Sequence, residues 1–239
     1  MKIKLLGKNL DDIRPLLAAR NLEETADGAE AVITYGGDGA LLGAARDFSN
    51  LPILALRDAA TAPTCPVHEA ALVLDRFIAG ELKQTVLPKL CAQSASGVLY
   101  GINDLFLHNI NRTSSLRFQV KIDGNIYAPE VRGDGVCLST VHGSSAYYRS
   151  ITGGMFKVGM GLAFSHANAD IDHLILDTSS VVELTIIRGP GMVIADNDPK
   201  HLQLENGESV IFRTSEKTAT IYGLEGFMCG VCRKIRHGM

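Results

Sequence analysis

The sequence predicts a two-part chain: an N-terminal α/β domain, then a mostly β domain of sandwich type. Three observations predict it. Apolar runs alternate with helically spaced segments between Ile3 and Ala79, the order that builds a parallel sheet covered by helices. The texture then changes near Gly80-Glu81-Leu82-Lys83, and β-branched or alternating segments separated by turns continue to about Tyr222. Between Ala31 and Leu42 an apolar β-branched run ends in Gly36-Gly37-Asp38-Gly39 and opens into an Ala/Leu-rich stretch, the pattern of a strand, a tight turn and a helix start. The expected domains are residues 1–80 and 81–222, with 223–239 as a C-terminal segment returning to the first domain.

Element by element, Ile3–Leu6 reads as a short strand. Ile13, Leu16, Leu17 and Leu22 space a helix over Leu10–Leu22, with Asn9 or Asp11 near its start. Ala31–Tyr35 is the second strand, Gly39–Phe48 a helix, and Pro52–Leu56 another strand. Pro66–Ala79 reads as a helix with Pro66 in its first turn. In the second half, strands are expected at Gln84–Gln93, Val98–His108, Arg117–Ile122, Val136–Ser139, Val181–Arg188 and Ser209–Arg213. Asp123-Gly124 is a hairpin turn signal, and Asn206-Gly207, between Leu204 and Val210, reads likewise.

Composition narrows the function classes. The chain has 239 residues, 46% hydrophobic and 21% charged, which is an ordinary globular balance able to bury a core. A net charge of −3 makes no electrostatic case for nucleic acid or an acidic membrane as partner. No apolar run is long enough to span a bilayer, and the N-terminal apolar stretch is too short for a secretory signal. Five scattered cysteines fit reduced cytosolic thiols better than a disulfide framework. Cys229-Gly-Val-Cys232 has metal or redox spacing, but with no second pair visible to complete a zinc site, burial is the expectation.

Four stretches carry chemistry. At the Gly36-Gly37-Asp38-Gly39 turn, glycines let a ligand approach the main chain, and a helix N-terminus offers unpaired N–H groups to phosphate. Asp38 beside a phosphate suits proton abstraction or metal holding, although Asp is also an ordinary turn residue. No Gly-x-x-x-x-Gly-Lys-Ser/Thr loop occurs. Asn103-Asp104 lies inside an apolar run, where each must be hydrogen-bonded; it reads either as a bulge or strand-end turn or as ligand contacts. Arg132-Gly133-Asp134-Gly135 leads into a strand. Val141-His142-Gly143-Ser144-Ser145-Ala146-Tyr147 then gives a small-residue, hydroxyl-rich turn and a short helix, where Tyr147 can pack on a flat ring. His142 is placed to reach a ligand or phosphate and equally to be structural.

This ordered set resembles the NAD kinase family, whose patterns are Gly-Gly-Asp-Gly-Thr, Asn-Glu or Asn-Asp, and Gly-Asp-Gly followed by Ser-Thr-Pro-x-Gly-Ser-Thr-Ala-Tyr. The resemblance runs from about Ala31 to Tyr222 and is densest at Asn103–Asp104 and Arg132–Ser150. It implies a Rossmann-like α/β domain joined to a β-sandwich domain. The implied activity is magnesium-assisted transfer of a phosphoryl group from ATP (or polyphosphate) to the adenosine ribose 2′-hydroxyl of NAD, with no metal assigned to a protein side chain. Asp38 is implied as the general base and Gly36, Gly37 and Gly39 as the phosphate-facing turn. Asn103 and Asp104 are implied at adenine and ribose, Asp134 at the nicotinamide amide, Ser145, Ala146 and Tyr147 as the adenine wall, and Ser150 as a second nicotinamide contact. Arg132 and Gly39 join the implied NAD-binding set. A buried carboxylate with its pKa raised, or one restrained by a metal, is the expected form of the base. The resemblance further implies a cytoplasmic homodimer or homotetramer that takes small nucleotides, with no nucleic acid and no membrane partner.

Three departures bear on the phosphate-donor side. Ala40 stands where the family has Thr, Leu56-Arg57-Asp58-Ala59-Ala60-Thr61 replaces a glycine-rich stretch, and Val141-His142 replaces Pro and a small residue. The alternatives are an NAD(P)-binding regulatory module without efficient catalysis, or a related kinase acting on a lipid alcohol. The whole reading expects the first glycine turn and the Ser-Ser-Ala-Tyr corner to line one crevice.

Overall fold

The structure, a computed structural model, describes every residue except Arg112, Ala169, Gly238 and Met239. The chain forms two compact units, residues 1–87 with 218–239, and residues 88–217.

The first unit opens with β1 (Lys2–Gly7), α1 (Leu10–Ala18), β2 (Glu23–Glu24), β3 (Ala31–Tyr35), α2 (Asp38–Asp47), β4 (Ile53–Leu56) and α3 (Ala70–Ile78). Strands β2, β1, β3 and β4 lie side by side and parallel. β3 and β4 are buried along their whole length, which is why neither alternates polar with apolar residues and only Thr34 interrupts their apolar runs. Ile13 and Leu17 of α1 pack with Ile3, Ile33, Leu54 and Leu74 in this unit's core. Two expected helices are shorter than their apolar spacing suggested. The first stops at Ala18, because Asn21 turns the chain in the left-handed region at φ 54° before the edge strand β2. The other splits into a single 3₁₀ turn, Pro66–His68, and α3, since Glu69 is extended at ψ 141°.

The second unit is built from β5 (Gln84–Ser94), β6 (Gly97–Gly101), β7 (Asp104–Asn109), β8 (Leu116–Ile122), β9 (Asn125–Gly133), β10 (Gly135–Ser139), α4 (Tyr147–Thr152), β11 (Met160–Ser165), β12 (Leu174–Leu176), β13 (Val182–Arg188), β14 (Gly191–Ala195), β15 (Leu202–Leu204) and the start of β16 (Ser209–Tyr222). One antiparallel sheet has the order β12-β11-β10-β7-β14-β15. Against it, β16, β13, β8 and β9 form a second antiparallel layer. Leu105, Leu107, Val136 and Leu162 of the first layer pack on Phe118, Val120, Leu184 and Phe212 of the second, so this unit is a sandwich.

Asp123-Gly124 makes the expected hairpin: Ile122 pairs with Asn125, and both turn residues have positive φ, as a two-residue type I′ turn requires. Asn206-Gly207 does not make a hairpin. It joins β15 to β16, which lie in different sheets, and the Gly207 N–H donates to the Ile186 carbonyl at 2.8 Å. The expected strand Val98–His108 is two strands, broken at Ile102-Asn103.

The chain re-enters the first unit through the end of β16, where Ile221 and Tyr222 run parallel beside Ile53 and Leu54 of β4. It finishes with α5 (Leu224–Met228) and α6 (Gly230–His237).

Phe118 is fully buried at the centre of the sandwich. Phe118→Ala is therefore expected to lower the free energy of unfolding by about 3–5 kcal/mol, read from denaturant titration.

Candidate functional site

In the second unit, three separate stretches are held together by one backbone turn. Ile102 and Asn103 sit between β6 and β7, and the carboxylate of Asp196, at the end of β14, accepts the N–H groups of Ile102, Asn103 and Asp104 at 2.7, 2.9 and 3.1 Å. Asp196 is itself in the left-handed region at φ 48° and donates its N–H to the Asp104 carbonyl. From the other side, Thr140 donates its hydroxyl to the Ile102 carbonyl at 2.7 Å and its N–H to the Asn103 carbonyl at 2.8 Å. The same hydroxyl oxygen accepts the Gly143 N–H at 3.0 Å. Gly143 lies so close to the Asn103 backbone that a Cβ there would collide with its carbonyl oxygen. The Asn-Asp pair and the Gly-Ser-Ser-Ala-Tyr stretch are thus neighbours through main-chain contact.

This packing sets α4 against β10 and β11, with the Tyr147 ring reaching β7, and leaves a cleft of about 360 Å³, lined among others by Phe106, His108, Asp134, Tyr147, Ser150 and His166. Its size is near the lower end for small-molecule sites. Three expected residues, Asp134, Tyr147 and Ser150, line it. Phe106 stacks on His108 at 3.8 Å and meets the Tyr147 ring edge-on at 5.4 Å. Burial holds the His108 imidazole below its ordinary pKa, with the Asp134 charge partly opposing. Asp134 reaches His166 Nδ1 at 3.2 Å, and Ser150 donates its hydroxyl to the Tyr147 carbonyl at 2.7 Å.

The other expected residues of this unit stand outside the lining. Ser145 and Ala146 are exposed, closing the 3₁₀ turn Gly143–Ser145 and preceding α4. His142 is half-buried at the start of that turn. Arg132 donates from Nε to Glu130 Oε1 at 2.6 Å on β9. Asn103 Oδ1 is buried and has no hydrogen-bond partner among the described residues, at a cost of about 1–3 kcal/mol unless a ligand donor meets it.

Asp104 is 3% exposed. Burial first, and the Asp196 charge second, push its carboxyl up to about 7, against the Tyr147 N–H that donates to it. Asp196 is raised by burial to a degree limited by its three backbone donors. Lys89, buried in β5, has its ammonium pKa lowered by burial and by Lys217, with Asp196 opposing.

In the first unit, Gly37 precedes α2 and Asp38 is its first residue. No side-chain atom crowds the space where a Gly37 Cβ would stand, which leaves the turn open. Of the two expected forms of the base, the buried one is not what forms: the Asp38 side chain is 71% exposed and pairs with Arg57 Nη2 at 3.0 Å, the arginine side chain being only 5% exposed. The guanidinium lies over the Phe227 ring of α5 at 3.6 Å, a contact worth about 2 kcal/mol when desolvated. The glycine-free stretch after β4 is rebuilt around Asp58. Fully buried, Asp58 accepts from Asn9 Nδ2, the Ala60 N–H and the Thr61 hydroxyl at 2.8–2.9 Å. Burial raises its pKa, but these bonds outweigh it and the net shift is downward.

Several of these residues escaped the sequence. Phe106 and His108 were legible in principle, because Asp104, Phe106 and His108 share one face of a strand at period two. Asp196, Lys89, Arg57 and Phe227 act through contacts distant in sequence and left no local signal.

The class this architecture defines is an α/β unit joined to an antiparallel sandwich that carries the Asn-Asp and Gly-Ser-Ser-Ala-Tyr stretches. No family model matches the chain. It is 32% identical over 148 residues to an NAD kinase of Acidithiobacillus ferrooxidans, covering 58% of this chain and 49% of that one. It is 27% identical over 211 residues to an NAD kinase of Enterobacter sp. (strain 638), covering 80% and 70%. The chain thus spans about half the length of the first of these. In fold it matches an NAD kinase from Archaeoglobus fulgidus in complex with ATP, with a TM-score of 0.79 and 15% identity over 98% of this chain and 99% of that one. It also matches yeast NADH kinase complexed with NADH, with a TM-score of 0.79 and 17% identity over 93% and 83%. The chain is thus similar in sequence to these NAD kinases, and it shares its fold with the two solved kinases.

A raised Asp104 pKa has a definite sign. Between roughly pH 4 and 7 the native state keeps a proton that the unfolded chain has released, so stability falls as pH rises through that window. Unfolding measured from pH 4 to 8 should show a loss on the order of 2–4 kcal/mol from this group, and Asp104→Asn should flatten it.

Proposed function

We propose that the chain is an NAD kinase: it transfers a phosphoryl group from ATP or polyphosphate to the adenosine ribose 2′-hydroxyl of NAD, producing NADP. The observation that carries the proposal is the cleft of the second unit. It gathers Asp134, Tyr147 and Ser150 from two stretches that also mark the resemblance to NAD kinases, in a fold shared with a kinase complexed with ATP and another complexed with NADH.

Tyr147 supplies exposed aromatic surface for a flat ring, with the buried Phe106 behind it, and the exposed Asp134 carboxylate is an acceptor for an amide N–H. Asn103 Oδ1 is a buried acceptor that a bound nucleotide's donor would satisfy. Asp38 is the proposed general base, taking the proton of the attacking hydroxyl. Its exposed carboxylate is within a substrate's reach, and the buried Arg57 fixes its direction. Gly36, Gly37 and Gly39, at the open start of α2, are the proposed phosphate-facing turn, where N–H groups and the helix dipole favour an anion. The open turn beside an exposed carboxylate leaves room for a hydrated divalent cation. Magnesium bound with the donor phosphates would neutralise their charge. Asn103, Asp104, Arg132, Ser145 and Ala146, with His142 beside them at the start of the 3₁₀ turn, complete the proposed nucleotide set. Five free cysteines support a reducing, cytoplasmic setting, and a homodimer or homotetramer is proposed from the family. No helix among the described residues is long and apolar enough to cross a membrane.

The Arg57–Asp38 pair and the rebuilt 57–62 segment favour one competing reading, an NAD(P)-binding module with little turnover. Incubation of the purified chain with NAD, ATP and magnesium decides between them. NADP should form, and Asp38→Asn should lower turnover by about 10²–10⁴-fold with little change in NAD affinity. Tight NAD binding with no NADP in the wild-type chain would establish the module instead. Tyr147→Ala should weaken NAD binding by on the order of tenfold, as the loss of one ring contact implies.

A further inference from the structure

Outside the residues proposed for nucleotide chemistry, the first unit holds a cluster of soft donors. The sequence showed Cys229 and Cys232 without a second pair; the fold supplies that pair from Cys65 and His68, more than 160 positions away. Cys65 Sγ lies 3.2 Å from His68 Nδ1 and 3.4 Å from Cys232 Sγ, and Cys232 Sγ lies 3.5 Å from His68 Nδ1. With Cys229 Sγ, all four ligand atoms fall within 4.8 Å of one another. Around a tetrahedral zinc ion, two thiolate sulfurs stand about 3.8 Å apart, and a sulfur and an imidazole nitrogen about 3.5 Å.

We propose that Cys65, His68, Cys229 and Cys232 form a structural Zn²⁺ site. Two short segments, one at a 3₁₀ turn and one at the start of α6, carry the donors as Cys-x-x-His and Cys-x-x-Cys, the spacing by which a single turn aims two ligands at one ion. Three sulfurs and one imidazole exclude magnesium and calcium, which take oxygen ligands. Four protein donors leave no open position, so the site is closed and structural. The backbone is already shaped for it. Pro66 starts the 3₁₀ turn that brings His68 back towards Cys65, and the Cys65 N–H donates to Cys232 Sγ at 3.3 Å. Cys65 and Cys232 are buried, which keeps an ion there from water. A dithiol redox pair is the competing use of Cys229 and Cys232, but it needs neither a third thiol nor an imidazole at ligand distance.

The consequence is mechanical. The ion ties the segment after β4 to the C-terminal helices. Arg57 and Phe227 lie on the two segments so tied, and their cation–π contact sets the guanidinium that holds Asp38. The zinc site stands on its own geometry, whatever reaction the chain performs.

The test is elemental analysis of the full chain purified under reducing conditions without chelator. About one zinc per chain is expected. Chelated protein should regain one equivalent of zinc, and should bind cobalt with the thiolate charge-transfer and ligand-field bands of a tetrahedral sulfur-rich site. Chelation should lower the unfolding temperature, and zinc should restore it. Cys229→Ser and His68→Ala should weaken zinc binding by more than the 10–100-fold or so that loss of an outer-shell partner costs, whereas Cys91→Ser, in the other unit, should leave the stoichiometry intact. Should the ligand variants fail to fold, the cobalt spectrum of the wild-type chain still decides. A reduced, folded chain that takes up neither zinc nor cobalt would overturn the site. So would iron in place of zinc, or undiminished zinc binding in Cys229→Ser. NADP formation does not enter any of these readouts, so failure here is separate from failure of the proposed activity.

Discussion

The arrangement of the second unit depends on one carboxylate. Asp196 gathers three consecutive backbone N–H groups, and without it the turn at Ile102–Asp104 would bury unpaired donors at a cost of about 1–3 kcal/mol each. With the turn fixed, β7 begins at Asp104. Its alternation then sends Leu105 and Leu107 into the sandwich core, while Phe106 and His108 face α4 and the cleft. Thr140 and Gly143 close on the same turn from the opposite side and seat Tyr147. The same concentration of buried charge explains the Asp104 carboxyl: two acids this close and this deep cannot both ionise cheaply, and Asp196, with the backbone donors, keeps the charge.

The first unit solves a different problem. Its parallel strands end at a glycine turn that needs an orienting partner for Asp38, and the segment that resembles no glycine-rich wall provides one. Asp58 organises that segment by accepting three hydrogen bonds, two local and one from Asn9, which leaves Arg57 projecting between Asp38 and Phe227. The 56–61 segment is therefore a turn built by side chains, with Arg57 set against Phe227 of α5.

Much of this was legible in the sequence because it is local. The apolar runs of β3 and β4, the Asp123-Gly124 hairpin, and the strand, hydroxyl-rich turn and short helix from Gly135 to Thr152 follow from periodicity and turn chemistry. Helix ends were less legible. Leu22 continues the helical spacing yet lies beyond a left-handed Asn21, and Glu69 interrupts a segment with unbroken helical composition. Asn206-Gly207 carries a hairpin signal, but pairing of β15 with β14 overrides it. What the sequence could not show were contacts that exist only after folding: Asp196 on the Asn103 turn, Arg57 on Asp38, and Cys65 with His68 beside Cys229 and Cys232. Each joins residues whose separate patterns are ordinary.

The central claim is that the cleft under Tyr147 is a dinucleotide subsite built by the Asp196-held turn. A crystal structure of the chain with NAD tests it most directly. The account predicts one ring of NAD against Tyr147 and Phe106, with an amide or amino group within hydrogen-bond distance of Asp134. NAD bound elsewhere, with the space between Phe106, Asp134 and Tyr147 left to solvent, would contradict it.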